Sequence, residues 1–301
     1  MSFSPETTST VIFGEVLFDC FEDGSRVLGG APFNVAWHCQ AFGLNPLFIS
    51  RIGNDALGSE VRLAMHEWGM DLSGLQLDST YPTGIVDVSF NDGEPSYNIV
   101  NNSAWDFIDH QEAIEALPQL NINTVLYHGS LAMRNQVTAN ALFVLKKHCF
   151  NSIFIDINLR SPWWSLSQIE NILKNVSWLK LNVDELAVIV PHKQDAQSKA
   201  RYLLSHFQVD LVVITQGSAG AFAITQKEIC SVQPDKVINI IDTVGAGDAF
   251  SSILLTGLHY EWPLQTILNR AQQFASAVVE QRGATTQDKQ FYKPFIKKWS
   301  L

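Results

Sequence analysis

The stretch DTVGAGDAF, residues 242–250, sets two carboxylates around a Gly-Ala-Gly turn, and an apolar run, AFSSILLTGL, follows. That run reads as a helix beginning at the turn. A helix start has free main-chain N–H groups and a partial positive charge. Gly245 and Gly247, with Ala246 between them, remove side chains that would keep an anion away from those groups. Asp248 then puts negative charge beside an anion cradle. Two readings remain open on these residues alone. In one, Asp248 is an acidic first-turn residue that favours the helix start. In the other, the Gly245–Gly247 amides hold charge on a transferring phosphoryl group, and Asp248 accepts the proton of an attacking hydroxyl. Phosphoryl transfer rests on positioning and electrostatics, so a base beside an anion hole suits it. The second reading needs Mg²⁺ and a cationic side chain to offset the charge. The stretch is no Walker A loop, because GxxxxGK[ST] is absent from the chain. It is no dinucleotide fingerprint either, since no third glycine follows and the turn lies late in the chain.

Outward from this turn, short apolar runs alternate with helical segments. TVIFGEVLF (10–18) reads as a first strand, PFNVAWHCQAF (32–42) as a helix, PLFISRI as a strand, and ALGSEVRLAMHEWG (56–69) as a helix ended by Gly69. NTVLYHG, NSIFIDIN, VSWLKLN and DLVVITQG read as buried strands, with helices at 136–148 and 195–207 between them. This rhythm predicts an α/β fold with a mostly parallel sheet. TGIVDVSFNDGEPSYNIV (83–100) breaks it: two alternating runs meet at Asn-Asp-Gly, the signature of a hairpin projecting from the core.

Composition narrows the class. The 301 residues are 46% hydrophobic and 17% charged, enough for a sizeable core and too few charges for long disordered tails. The net charge is −10 and no basic stripe occurs, so nucleic acid is not an expected partner. Lys293, Lys297 and Lys298 read as a solvated face of a terminal helix. No run reaches about 18 apolar residues and the N-terminus lacks a basic region, so neither a membrane span nor a signal peptide is expected. Cys20, Cys39, Cys149 and Cys230 form no CxxC pair, and the eight histidines form no HExxH. Reduced thiols in a cytoplasmic protein and structural histidines are the expectation.

DTVGAGDAF resembles the C-terminal signature of the ribokinase-like, or PfkB, carbohydrate kinases. GGAPFNVAWHCQAFGLNPLFISRIG, residues 29–53, matches the other signature of that family, and the two occur in the expected order. The resemblance extends from Gly14 to about Gln287. It implies a three-layer α/β/α sandwich as a single domain over residues 1–301, with a small β-sheet lid from about 12–30 and 83–104. It implies ATP and a sugar as ligands, with Asp248 as base and the Gly245–Ala246–Gly247 turn as anion hole.

The same resemblance assigns further roles. Asp19, Gly29, Gly30 and Asn34 would hold sugar hydroxyls. DINLR (156–160) resembles the D-x-N-x-R stretch of fructokinases, which carries Asn158 and Arg160 into the site, with Asp156 beside them. Asn182 and Glu185 match an N-x-x-E motif that holds Mg²⁺ through water; read without the family they form an acidic helix start. Thr215, Gly217 and Gly220 of TQGSAG would lie along ATP, or form a plain strand-to-strand turn. Gln216 departs from the family's usual small or charged residue there. A helix is expected from Ala271 to Ala284, whose Ala271, Ala275 and Gly283 suit either close packing or adenine contact. Some relatives bind a monovalent cation such as K⁺ through main-chain carbonyls matching Asp242 and Val244. GEVLFD, Ala-Pro after the glycines, DINLR and SAWD (103–106) resemble bacterial fructokinases most, with Trp105 and Phe33 as walls of the sugar pocket or as core residues. A homodimer paired through the lid edge is the expected assembly.

Overall fold

Gly14 divides TVIFGEVLF between two sheets. Its φ is +149°, and a Cβ there would meet Pro32 Cγ at 2.5 Å. The chain therefore turns out of β1 (Ser9–Phe13) and enters a second sheet as β2 (Leu17–Phe21). One strand was expected; the strain-tolerant glycine makes two. The computed structural model describes residues 9–91, 94–117, 124–148, 150, 152–234 and 239–301.

From β2 the chain runs through β3 (Arg26–Gly29), α1 (Ala31–Ala41), β4 (Leu47–Gly53), α2 (Ala56–Trp68), β5 (Leu75–Asp78), β6 (Gly84–Asn91) and β7 (Glu94–Ile99). Next come α3 (His110–Glu115), β8 (Thr124–His128), α4 (Gln136–Lys147), β9 (Ser152–Asp156), α5 (Leu166–Ile172) and β10 (Trp178–Asn182). Then follow α6 (Val183–Ile189), α7 (Ala196–His206), β11 (Leu211–Thr215), β12 (Ala221–Ile224) and β13 (Ile229–Val232). Helices α8 (Ala246–His259), α9 (Leu264–Val278) and α10 (Lys289–Trp299) complete it.

The central sheet has the order β13-β12-β11-β10-β9-β8-β1-β4-β5. Every pairing from β11 to β5 is parallel; β12 and β13 join antiparallel at one edge. Its strands read as apolar runs because both faces are covered. One face packs on α1, α8 and α9 around Phe33, Ile253 and Phe274. The other packs on α4, α6 and α7 around Leu142, Leu186 and Leu203. The expected three layers are present. Among the described residues no helix is long and apolar enough to cross a membrane.

The smaller sheet has the order β3-β2-β6-β7 and buries Leu17, Val86 and Val88 on one side. The predicted hairpin is present as β6 and β7, although Asp92 and Gly93 of its expected turn lie outside the described residues. Cys20, Cys39 and Cys230 are free thiols; Cys149 lies outside the described residues.

Arg134 ties the end of this sheet to the body. Its guanidinium forms a two-pronged pair with Asp106, at 2.7 Å on both sides, and donates to Val100 O at 2.6 Å. It lies 4.0 Å over the Trp105 ring. Both charged side chains are 2% exposed, so removing one strands the other without solvent. Arg134→Met is expected to lower stability by about 3–5 kcal/mol in urea titration. Arg134→Lys recovers only a minor part, because an ammonium does not reproduce the planar fork.

Candidate active site

The parallel strands deliver their carboxyl ends to one edge, where α/β sheets gather ligands. Two segments far apart in sequence meet there: Asn34 Nδ2 donates to Asp248 Oδ2 at 2.8 Å. Asn34 is placed by the tight entry to α1. Gly30 caps that helix with φ +109°, and a Cβ on it would sit 2.7 Å from Glu15 O. Only glycine fits this approach of main chain to main chain. Asn34 is 4% exposed and its Oδ1 has no partner. A Cβ on Gly29 would lie 3.6 Å from that Oδ1 and 3.9 Å from Asp19 Oδ2, so Gly29, Asn34 and Asp19 converge.

Asp248 stands in the first turn of α8. Gly245 begins this helix in the left-handed region, φ +79°, and no side chain caps it. The Ala246 amide makes only a long bond to Thr243 O, 3.4 Å, and no side chain competes with another acceptor at this helix start. A Cβ on Gly245 would collide with Ala284, so conformation and space both require glycine there. Ala284 is held in turn by α1. Burial lowers the His38 pKa to about 4, so the ring is neutral. Its Nε2–H then donates to Ala284 O at 3.0 Å, and its Nδ1 accepts from the Tyr292 hydroxyl at 3.0 Å. Trp37 Nε1 donates to Thr286 O at 2.9 Å.

Burial raises three carboxyls at this edge. Burial raises Asp248 to about 6, with the Asn34 hydrogen bond opposing the rise, Asp156 adding to it, and Lys180 and Arg160 opposing it. Burial likewise raises Asp19 to about 6, against the attraction of Arg160. Glu15, 3% exposed at the crossing between the two sheets, is raised to about 7 by burial, and its Oε2 has no partner. Arg160 is exposed and acts on all three. Lys180 adds to it at Asp248, and Arg134 at Glu15. Asn158, two residues earlier, takes the left-handed backbone, φ +44°, which turns the chain after β9.

Other expected residues fall differently. Trp105 is 0% exposed, under the Arg134 guanidinium, and Phe33 is also 0% exposed. Both belong to the core, so neither presents an open wall to a sugar. Asn182 and Glu185 form a capping box: Asn182 Oδ1 accepts from the amides of Asp184 and Glu185, and Glu185 Oε2 accepts from Asn182 N. Glu185 Oε1 also accepts from Leu159 N at 2.8 Å. Burial raises the Glu185 carboxyl despite these bonds. No cluster of three or more acidic, His or Cys side chains set for a metal occurs among the described residues. Asn182 and Glu185 fit a hydrated Mg²⁺ held through water and not a direct cage.

Thr215 ends β11, and Gly217–Ala219 form a 3-10 turn into β12. Gly217, φ +56°, is open to space, whereas a Cβ on Gly220 would strike Val232 O. Gly220 is thus explained by packing. Ala271 and Ala275 are core residues at 0% and 6% exposure, and α9 ends at Val278, short of the predicted Ala284. Gly283 N donates to Asp242 Oδ2 and Val244 N to Asp242 Oδ1, both at 3.0 Å, so that carboxylate fastens the loop before α8. Beside it, a cavity of about 520 Å³ opens between β13 and α9, lined by Val232, Gln233, Gln272, Ser276 and Glu280 among others. Glu15 and Lys180 carry no role in the sequence reading. The available signal was a charged residue interrupting an apolar strand run.

A family model described as pfkB family carbohydrate kinase matches residues 12–290. The chain belongs to this family and is a carbohydrate kinase. It is 30% identical to a fructokinase of Klebsiella pneumoniae over 261 residues, 82% of this chain and 83% of that one. It is 26% identical to a fructokinase of Salmonella typhimurium, over 91% of this chain and 94% of that one. Among solved structures, fructokinase from Vibrio cholerae O395 in fructose-, ADP- and calcium-ion-bound form superposes with TM-score 0.81 at 24% identity, covering 96% of this chain and 99% of that one. Aminoimidazole riboside kinase from Salmonella enterica, complexed with aminoimidazole riboside and an ATP analog, gives 0.79 at 24% identity, covering 95% and 99%. The fold is ribokinase-like.

The buried acids set a pH dependence of stability. Glu15 holds its proton more tightly folded, about 7, than at its ordinary 4.5. Its stabilising contribution is complete below the unfolded value and is lost as pH rises through the folded one. Glu15→Gln is therefore expected to melt higher than wild type at pH 8, a stabilisation on the order of 3 kcal/mol, and at the same temperature as wild type at pH 4. Thermal melts at the two pH values check this.

Proposed function

We propose that this kinase transfers the γ-phosphoryl group of ATP to a primary hydroxyl of fructose, giving fructose 6-phosphate and ADP. The observation that carries the reading is the 2.8 Å bond from Asn34 to Asp248, which aims one carboxylate at the mouth of an uncapped helix start. Asp248 accepts the hydroxyl proton as the sugar oxygen attacks the γ-phosphorus. The new O–P bond forms, the bond to the β-phosphate oxygen breaks, and ADP carries away the negative charge. The Gly245–Gly247 amides hold the charge that develops on the phosphoryl oxygens.

The sugar rests against Asp19, Gly29, Gly30, the free Asn34 Oδ1, Asn158 and Arg160. Carboxylates and a guanidinium are the partners that sort hydroxyl patterns. The smaller sheet is its lid, closing to exclude water from the phosphoryl group. ATP lies along Thr215 and Gly217 with its base toward the cavity between β13 and α9. Mg²⁺ carried by the ATP phosphates would neutralise charge that Asp248 otherwise opposes, with Asn182 and Glu185 reaching it through water. A monovalent cation would sit on the carbonyls of Asp242 and Val244. The chain acts as one kinase domain in the cytoplasm, and the outer strands β3 and β7 leave edges on which a second copy pairs. The fructokinase relatives support fructose. The similarity to a riboside kinase supports a second reading, a ribose- or nucleoside-like acceptor. Coupled ADP detection over a panel of sugars and nucleosides separates them: turnover confined to ribosides removes fructose.

Asp248→Asn is expected to fold and to bind ATP in calorimetry, yet lose roughly 10²–10⁴-fold in sugar-dependent kcat. Wild-type kcat/KM is expected to fall on the acid side of about pH 6, where Asp248 gains its proton. Near-normal turnover by Asp248→Asn removes it from the role of base.

A further inference from the structure

A buried charged pair lies directly behind the anion turn and has no part in the steps above. Lys180, the third residue of β10, puts Nζ 2.6 Å from Oδ2 of Asp156, the last residue of β9. The two strands are parallel neighbours, and their register sets Lys180 opposite Asp156. The side chains are 5% and 7% exposed. The same Asp156 Oδ2 lies 2.7 Å from Ser251 Oγ on α8, one turn beyond Gly247, and that hydroxyl is also 3.0 Å from Gly247 O. A Cβ on Gly247 would lie 3.5 Å from Lys180 Nζ, so the ammonium faces the turn across the space that the glycine leaves.

Burying both charges is unfavourable, and well-packed apolar residues commonly replace such pairs without loss of stability. Core packing therefore does not account for a lysine inside WLKLN. Its placement does: Lys180 is a fixed cation behind an anion-binding helix start, held by Asp156 and coupled to α8 through Ser251. We propose that Lys180 is a positioning residue for phosphoryl transfer, supplying positive potential at the Gly245–Gly247 turn and at Asp248 without touching either substrate. This rests on the kinase reading and deepens it.

The groups that face Asp248 come from several elements. They are Asn34 from α1, Glu15 after β1, Tyr127 from β8, Asp156 and Arg160 from β9 and the loop after it, and Lys180 from β10. Lys180 favours the ionised Asp248 and Asp156 disfavours it. Removing one or the other must therefore shift the titration of Asp248 in opposite directions. A purely structural pair leaves kcat of the folded variant unchanged when it is deleted, whereas a pair that supplies potential at the turn changes kcat together with the titration of Asp248.

The test compares wild type with Lys180→Met, Lys180→Arg, Asp156→Asn and the Lys180→Met/Asp156→Asn double variant. Each is checked by circular dichroism and assayed by ADP release across pH with the preferred acceptor. Lys180→Met is expected to lose at least about tenfold in kcat, with sugar KM within about threefold. Its acid limb should rise by roughly half a unit to one unit, and that of Asp156→Asn should fall by a similar amount. Lys180→Arg should recover part of kcat. The double variant should return the limb toward wild type while kcat stays low, because the cation is still missing. A folded Lys180→Met with unchanged kcat and limb overturns the inference, as do limbs that move the same way in both single variants. If the single variants do not fold, the charge-neutral double variant decides: wild-type kcat overturns the inference and a loss of about tenfold or more supports it. Wild type that releases no ADP with any acceptor sinks the kinase reading together with this inference. An active wild type beside an unaltered Lys180→Met sinks the inference alone.

Discussion

The site depends on one hydrogen bond between residues 214 positions apart, from the Asn34 carboxamide to the Asp248 carboxylate. Asn34 can reach Asp248 only because Gly30 lets the chain pass against the Glu15 carbonyl on its way into α1. Asp248 is presented only because Gly245 starts α8 in a left-handed turn packed against Ala284. His38 and Trp37, from the same helix as Asn34, hold residues 284 and 286. One helix thus orients both the carboxylate and the wall behind the anion turn.

The electrostatics around that bond are unfavourable to folding. Glu15, Asp19 and Asp248 are all pushed upward by burial, and one exposed arginine serves the three. Asn34 Oδ1 and Glu15 Oε2 are left without partners. Buried polar atoms without partners are uncommon in folded chains. These two lie at the candidate site, where a ligand rich in donors would satisfy them. Stability forgone at these groups is then available to ligand binding, a pattern seen where function needs unpaired groups.

Much of the architecture was legible because local chemistry and the long-range result agree. The apolar runs near 124, 152, 177 and 211 became β8 to β11, and the Gly69 stop for α2 took the left-handed conformation that its residue type suggests. Where one strand was expected, or two roles stayed open for a residue, the reasons are physical. TVIFGEVLF reads as one strand because periodicity does not register a single positive-φ glycine. Trp105 reads in sequence as pocket wall or core residue alike, and the Arg134 guanidinium over its buried ring favours the core. Asn182 and Glu185 have the spacing of a ligand pair, and the same spacing makes a capping box. Ala271 and Ala275 face the core because the phase of α9 is set by its neighbours.

The residues by themselves determined the layered α/β class, the glycine turn ahead of Asp248 and which candidate groups the chain offers. These are properties of short segments: apolar period, turn residues and side-chain type. Only the tertiary structure decided which of those groups meet. It set Asn34 on Asp248, placed Lys180 behind Gly247 and brought Glu15 into the field of Asp248 and Arg160. Such meetings follow from strand register and helix docking, which bring distant parts of the chain to one sheet edge, and no short stretch contains that information.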